Sequence, residues 1–269
     1  MKEAEAFEYI IGLVYDSCGV CLHEGKHELI RARLGKRLRH YGMSTLSEYC
    51  EFLKHQENDD EITQVVDSLT TNFTNFLREE AHFKFLVEQA LPTLIAPGQK
   101  QFNIWSAACA TGEEPYSLGF YLMEFYPLIS GWNWRILATD ISTRALGKAQ
   151  QAIYPADRMQ SVPYEWIRKY CQKGHKQWEG YFRIKPLITE RIQFRHMNLL
   201  DDYHISENFS VIFCRNVMIY FDRPTQERLV KKLIQVLIPK GYLIVGHAES
   251  LTGISGAIRC LRPSIYQKV

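Results

Sequence analysis

No stretch of this chain runs for roughly 18 uncharged apolar residues, the length a helix needs to cross a bilayer, so no membrane insertion is expected. The N-terminus carries Glu3, Glu5 and Glu8 where a signal peptide would carry basic and then apolar residues, and the expected location is the cytoplasm. A strong charge imbalance is also missing: 32 Lys and Arg against 30 Asp and Glu leave a net +2, too little to indicate a nucleic-acid binder. The seven cysteines (Cys18, Cys21, Cys50, Cys109, Cys171, Cys214 and Cys260) are odd in number and scattered, which argues against a disulfide framework. Cys18 and Cys21 lie near His23 and His27, and Cys171 near His175, but no second ligand pair follows at zinc spacing, so no metal is expected. Repeats, low-complexity segments and a Ser/His/Asp or Cys/His catalytic motif are absent too.

What is present is a chain of 269 residues, 46% apolar, enough for a small domain beside a larger one. Residues 1 to about 70 read as helices. Phe7, Ile10, Ile11 and Val14 recur at helical spacing, as do Ile30, Leu34, Leu38 and Tyr41. Gly42 stops that second helix, Ser44 or Thr45 caps a third carrying Leu46, Tyr49, Phe52 and Leu53, and a charged turn at 57–61 leads to a fourth with Ile62, Val65, Val66 and Leu69.

Beyond residue 76 the pattern changes. A helix over Ala81–Ala90 is broken by Pro92 and Pro97-Gly98. A strand (Phe102–Trp105), a helix (Pro115–Phe125), a strand (Arg135–Asp140) and a helix from Thr143 then alternate, as in a parallel sheet with crossover helices. Ser210–Cys214 and Tyr242–Gly246 read as further strands around a helix at Leu229–Leu237. Residues 153–195 interrupt the alternation with Tyr154-Pro155, a polar helix near 164–172, and two strands, Tyr181–Ile184 and Arg191–Phe194, expected to pair antiparallel in an inserted subdomain.

Doubly wound sheets bind ligands at the carboxyl ends of their strands. The turn after the first strand, SerAlaAlaCysAlaThrGly at 106–112, is built of small residues but holds only Gly112, which counts against the three-glycine cradle of a dinucleotide; no P-loop occurs either. Glu113-Glu114 at the helix start complement the macrodipole and would also attract a cationic cofactor such as S-adenosylmethionine (SAM). Asp140, ending the second strand, suits ribose hydroxyls or a helix cap.

Five segments in order resemble the CheR family, the chemotaxis receptor methyltransferases: ThrThrAsnPheThrAsnPheLeuArgGlu (70–79), TrpSerAlaAlaCysAlaThrGlyGluGluProTyrSer (105–117), LeuAlaThrAspIleSer (137–142), PheCysArgAsnValMetIleTyrPhe (213–221) and GlyTyrLeuIleValGlyHisAlaGluSerLeu (241–251). The resemblance implies an α/β protein: an N-terminal helical bundle over 1–70 that docks the receptor, and a doubly wound SAM-dependent methyltransferase sheet over 71–269 with a small antiparallel β-subdomain at about 153–195. It implies O-methylation of glutamate side chains on chemoreceptor cytoplasmic helices, giving methyl esters and S-adenosylhomocysteine. By resemblance, Asn72, Thr74 and Arg78 close over the cofactor, Ala107 and Glu113 meet its methionine end, and Asp140 its ribose. Asn198 and Leu199 flank the adenine, Arg215, Asn216 and Val217 lie beneath the cofactor, and Tyr220 faces the methyl group. Arg78 and Tyr220 are the expected catalytic pair.

Read alone, Asn72 and Thr74 suit helix caps, Tyr220 a half-buried core position and Arg78 a surface charge. On the second helix Arg31, Arg37 and Arg39 are the expected docking residues, complementary to an acidic receptor helix. Some family members hold a C-terminal receptor pentapeptide on a glycine-containing hairpin; 181–194 here has no glycine and carries Pro186, so no such tether is expected. Another protein or a small acid as methyl acceptor is the alternative. A nucleic-acid acceptor is disfavoured by the near-neutral charge and by ArgAsnValMetIleTyr where such enzymes often carry an Asn/Asp-Pro-Pro-Tyr/Phe segment.

Overall fold

Four helices make up the N-terminal quarter of the computed structural model, which describes residues 1–22, 25–55, 59–94, 101–125, 133–202, 205, 207–254 and 257–269. They are α1 (Glu3–Cys18), α2 (His27–His40), α3 (Leu46–His55) and α4 (Asp59–Leu69). Their ends follow local chemistry. Gly19 at φ 70° closes α1 by donating to the Tyr15 carbonyl, and Gly42 at φ 67° ends the turn after α2. Thr45 Oγ1 accepts from the Glu48 N–H at 3.2 Å while Glu48 takes the Ser44 N–H at 2.9 Å, a reciprocal cap on α3. Phe7, Ile10, Val14, Ile30, Leu34, Tyr49, Leu53, Val65 and Leu69 form the core. Tyr41 is exposed at its edge, and residues 57 and 58 of the expected charged turn lie outside the described residues.

α4 buries two carboxylates, Asp67, which turns to Thr143 of the second half, and Glu61, which turns into the bundle. Glu61, 4% exposed, accepts from Arg37 through both Nε (2.9 Å) and Nη2, from the Tyr41 hydroxyl at 3.0 Å and from the Tyr49 hydroxyl. Burial alone would raise its pKa; the Arg37, Tyr49 and Tyr41 hydrogen bonds outweigh that and hold it below the usual range.

The chain then enters α5 (Ala81–Phe85), passes a wider turn (Leu86–Ala90) in which the Leu91 N–H reaches back to the Leu86 carbonyl, and ends in α6 (Leu91–Leu94). Pro92 therefore does not break the helix. The widened turn ahead of it makes room for a ring that would otherwise strike the carbonyl four residues back. Pro97-Gly98 lie outside the described residues.

The alternating region follows: β1 (Gln101–Ala107), α7 (Glu113–Glu124), β2 (Asn133–Asp140), α8 (Thr143–Gln151), β3 (Ile153–Pro155), α9 (Tyr164–Tyr170), β4 (Cys171–Lys173), β5 (Tyr181–Ile184), α10 (Pro186–Thr189), β6 (Ile192–His196), β7 (Phe209–Cys214), α11 (Arg223–Gln235), β8 (Leu237–Val245), β9 (Ile258–Arg262) and β10 (Ile265–Lys268). The main sheet runs β6-β2-β1-β7-β8-β10-β9. Its first five strands pair parallel, and the C-terminal hairpin adds two antiparallel ones. Strand order reverses between β1 and β7, so the switch point of the sheet lies where Ala107 pairs with Cys214. α11 begins at Arg223, earlier than apolar spacing alone indicates, because Asp222 caps it by accepting the Thr225 N–H at 2.9 Å.

The small sheet, β3-β5-β4, is antiparallel. Arg191–Phe194 does not belong to it: β6 is the edge of the main sheet, parallel to β2. The helical turn of α10, started by Pro186, reverses the chain between them. Its buried Ile188 packs so closely on α7 that a Cβ at Gly119 would stand 2.6 Å from it. The hairpin of the small sheet is β4–β5, whose connection spans Gly174 to Gly180, so the glycine-free stretch 181–194 is not its turn.

Arg37→Ala should destabilise the bundle by about 3 kcal/mol by leaving Glu61 buried without its cation. Arg39→Ala, at an exposed position, should change stability by less than about 0.5 kcal/mol. Urea unfolding of both variants measures the difference.

Candidate functional site

The turn leaving β1 is drawn across the end of β2: the Ala108 and Cys109 N–H groups both donate to the Thr139 carbonyl, at 2.9 and 2.8 Å. Ala108, Ala110 and Gly112 all take positive φ. At Gly112 a Cβ would stand 2.8 Å from both the Ala149 Cβ and the Tyr154 hydroxyl, so glycine is required there. The turn delivers the Ala110 N–H to Asp140 Oδ2 at 2.8 Å, while Oδ1 takes the Ser142 N–H at 2.8 Å. Ser142, not Asp140, caps α8. Burial raises the Asp140 pKa against these two hydrogen bonds.

Across the switch point, β7 delivers Arg215, whose side chain is 2% exposed. It donates to Glu114 at 2.9 Å, to Glu79 at 3.1 Å and to the Arg78 carbonyl, and its Nε has no hydrogen-bond partner. Burial raises the Glu114 pKa despite Arg215. At Glu79 burial acts in the same direction, but Arg215 and Asn216 prevail and the pKa is lowered. Asn216 sits at φ 58° and donates to Glu79 at 3.2 Å. Glu249 fixes this loop by accepting the N–H groups of Asn216, Met218, Ile219 and Gly246 at 2.8, 2.8, 3.3 and 2.6 Å.

The third wall is the segment joining the two halves. Phe76 is buried and its carbonyl accepts from Ser161 at 2.8 Å; the Leu77 N–H donates to Ser117 at 3.0 Å. Arg78 donates to the Phe73 carbonyl at 3.1 Å. Arg33 of α2 binds the Leu69 and Thr70 carbonyls at 2.8 and 3.0 Å. The end of α1 and the residues just after it close the cleft, with the Asn198 side chain donating to the Ser17 carbonyl at 2.8 Å and the Cys21 N–H to the Tyr220 carbonyl at 2.8 Å.

One cleft thus gathers Asn72, Thr74, Arg78, Asp140, Asn198, Leu199, Arg215, Asn216, Val217 and Tyr220, all singled out from the sequence. Two others do not line it. Ala107 is fully buried in the core behind the sheet, and Ala108 and Ala110 take its place. Glu113, 1% exposed, turns away to Arg158 at 2.9 Å and Thr111 at 2.6 Å; Glu114 is the acid in the cleft. The candidate docking arginines also divide. Arg37 is committed to Glu61 within the bundle. Arg31 pairs with Glu3 and Glu28 at 2.6 and 2.8 Å, and Arg39 is exposed. Sequence reading missed Glu79, Glu249 and Arg33, and of the Glu113-Glu114 pair it singled out Glu113. Glu79 and Glu249 lay inside quoted segments, but nothing local marked them, because their partners come from other elements.

The donor set fits a nucleoside with a cationic tail. Asp140 offers acceptors for ribose hydroxyls, Glu114 offers a carboxylate, and Met197, Leu199, Val217 and Phe221 form apolar walls. The buried, unpartnered hydroxyl of Thr70 and Nε of Arg215 border the same space.

Comparison with known proteins agrees. Residues 72–266 match the family described as CheR methyltransferase, SAM binding domain, and residues 5–70 match CheR methyltransferase, all-alpha domain. The chain is 35% identical over 265 residues to a chemotaxis protein methyltransferase of Borreliella burgdorferi, covering 96% of this chain and 92% of that one. It is 34% identical over 249 residues to one of Salmonella typhimurium (92% and 84%) and 35% identical over 267 residues to chemotaxis protein methyltransferase 2 of Pseudomonas aeruginosa (97% and 92%).

His82, beside Glu79, provides a pH test. Burial and then Arg215 lower its pKa from 6.5 to about 3. Above pH 6.5 it is neutral folded or unfolded, and its contribution to stability is fully present. As pH falls from 6.5 toward 3 only the unfolded chain takes the proton, so stability is lost by up to about 1.4 kcal/mol per pH unit. Unfolding from pH 7 to 5 should show a steeper acid loss in wild type than in His82→Gln; equal slopes would remove the assignment.

Proposed function

This chain belongs to the CheR methyltransferase family and is a SAM-dependent methyltransferase, and we propose that it methylates glutamate side chains on chemoreceptor cytoplasmic helices in chemotaxis adaptation. The observation that carries this reading is the convergence of Asp140, Glu114, Arg78 and Tyr220 on one cleft at the switch point of the sheet. Among the described residues no helix is long and apolar enough to cross a membrane.

In this reading Asp140 binds the ribose, Asn198 and Leu199 flank the adenine, and Glu114 with the Ala108–Ala110 backbone meets the methionine end. Asn72, Thr74, Arg215, Asn216 and Val217 complete the grip. Bound SAM supplies a methyl group on a positively charged sulfur. The acceptor carboxylate, with an intrinsic pKa of about 4.3, is already ionised near neutral pH and needs no general base. Its oxygen forms the new bond to the methyl carbon as the carbon–sulfur bond breaks and S-adenosylhomocysteine leaves; no proton moves. Arg78 and Tyr220 orient the carboxylate, Arg78 holding the oxygen that does not attack, since a grip on both would reduce nucleophilicity. Charges of opposite sign cancel along this path, so excluding water helps, and the segments 18–22 and 69–75 lining the cleft do so.

The domain boundary near residue 70, docking through the exposed part of α2, and independence from a receptor pentapeptide belong to the same proposal. A glycine-free hairpin does not support that independence, because the β4–β5 connection contains Gly174 and Gly180. Binding of a receptor C-terminal pentapeptide to the protein would overturn that part alone.

Incubation with methyl-labelled SAM and receptor cytoplasmic fragments should place base-labile label on glutamate; label only on a small acid or on another side chain would refute the acceptor. Tyr220→Phe and Arg78→Ala should each slow transfer by roughly 10- to 100-fold, the cost of one lost hydrogen bond to a charged group. In Tyr220→Phe the affinity for SAM should stay unchanged. Wild-type rates in both variants would remove the pair from the chemistry.

A further inference from the structure

Behind Arg215, outside the cleft, three potential metal ligands converge. Glu79, His82 and His247 each bring one donor atom, and these atoms lie within 4.8 Å of one another. Glu79 and His82 are three residues apart across the turn that leads into α5, with Glu79 Oε2 3.4 Å from His82 Nδ1. That separation already matches the edge of a tetrahedron with metal–ligand bonds of about 2.0–2.1 Å. His82 is 2% exposed, and its Nδ1 is buried without a hydrogen bond. His247 stands edge-on to it with ring centroids 4.8 Å apart, and is exposed, which gives a metal a route in.

We infer that Glu79, His82 and His247 form a binding site for a divalent transition metal of the zinc class, whose occupation draws Glu79 away from Arg215. The ligand chemistry suits such an ion: two imidazoles and one carboxylate leave a fourth position for water. His82 Nδ1 is buried without a hydrogen bond, so coordination breaks no existing hydrogen bond there. The cost falls on Glu79. Its Oε2 holds Arg215 and its Oε1 holds Asn216, and both partners line the cleft. A metal on Oε2 replaces the Arg215 contact, leaving the guanidinium on Glu114 and the Arg78 carbonyl. Metal and cofactor should therefore oppose each other. This coupling rests on the methyltransferase reading of the cleft; the metal site does not.

Co2+ titration of the full chain, with Co2+ as the optical stand-in for Zn2+, tests the site. One ion should bind with weak visible bands of a nitrogen and oxygen environment and without thiolate charge-transfer absorption. His247→Ala and Glu79→Gln should each weaken binding at least tenfold. Absent binding, a thiolate spectrum from the free cysteines, or unchanged affinity in both variants would overturn the site. In calorimetry Zn2+ should weaken SAM binding at least fivefold in wild type and leave His247→Ala unaffected. Metal binding without that effect would overturn the coupling. Failure of SAM to bind even without metal would instead count against the cofactor reading.

Discussion

A single guanidinium holds the centre together. Arg215 is buried between two carboxylates that come from different parts of the chain, Glu79 from the segment joining the two halves and Glu114 from the first turn of α7. An isolated buried charge would be very costly, so the three groups can only be assembled as a set. That requirement fixes where the joining segment lies on the sheet, and with it the positions of Asn72, Thr74 and Arg78. It also explains why two non-glycine residues there, Leu77 and Glu79, accept left-handed backbone: the ion pairs and the buried Phe76 over-determine their conformation. Glu249 does the corresponding work for the loop after β7, accepting three of its N–H groups, those of Asn216, Met218 and Ile219, together with that of Gly246 after β8.

Much of this was legible in the residue pattern, and the failures share a cause. The parallel sheet followed from strand and helix alternation, and the cleft from the small-residue turn and Asp140. The errors arose where a side chain's direction depends on one residue of phase. Ala107 is the last residue of β1 and faces the core; the next residue, at φ 72°, faces the cleft. Glu113 and Glu114 are adjacent on a helix and so point about 100° apart, and only packing reveals that Arg158 claims the first. Arg191–Phe194 read correctly as a strand, but the pattern of one strand does not name its partner or direction. Arg37 resembled its neighbours on a basic helix because the acid that sequesters it, Glu61, lies two helices further on.

The helical bundle is thereby more than a basic face. Its polar interior, centred on Glu61, fixes how α2 stands against α4, and Arg33 on the same helix ties α2 to the joining segment. The positive charge left for a partner is smaller than the sequence suggests, because Arg31 is shared with Glu3 and Glu28 while Arg37 is internal.

The backbone bond from Cys21 to the Tyr220 carbonyl has a bearing on how such proteins diversify. The two halves look like interchangeable modules, one for recognising a partner and one for chemistry. Yet the tyrosine proposed to meet the acceptor is held from the far side by the loop between α1 and α2. Grafting a relative's bundle onto this sheet would change the support beneath Tyr220 along with the docking face. New partner preferences are therefore more accessible through substitutions on the outer surface of α2 than through exchange of the whole bundle.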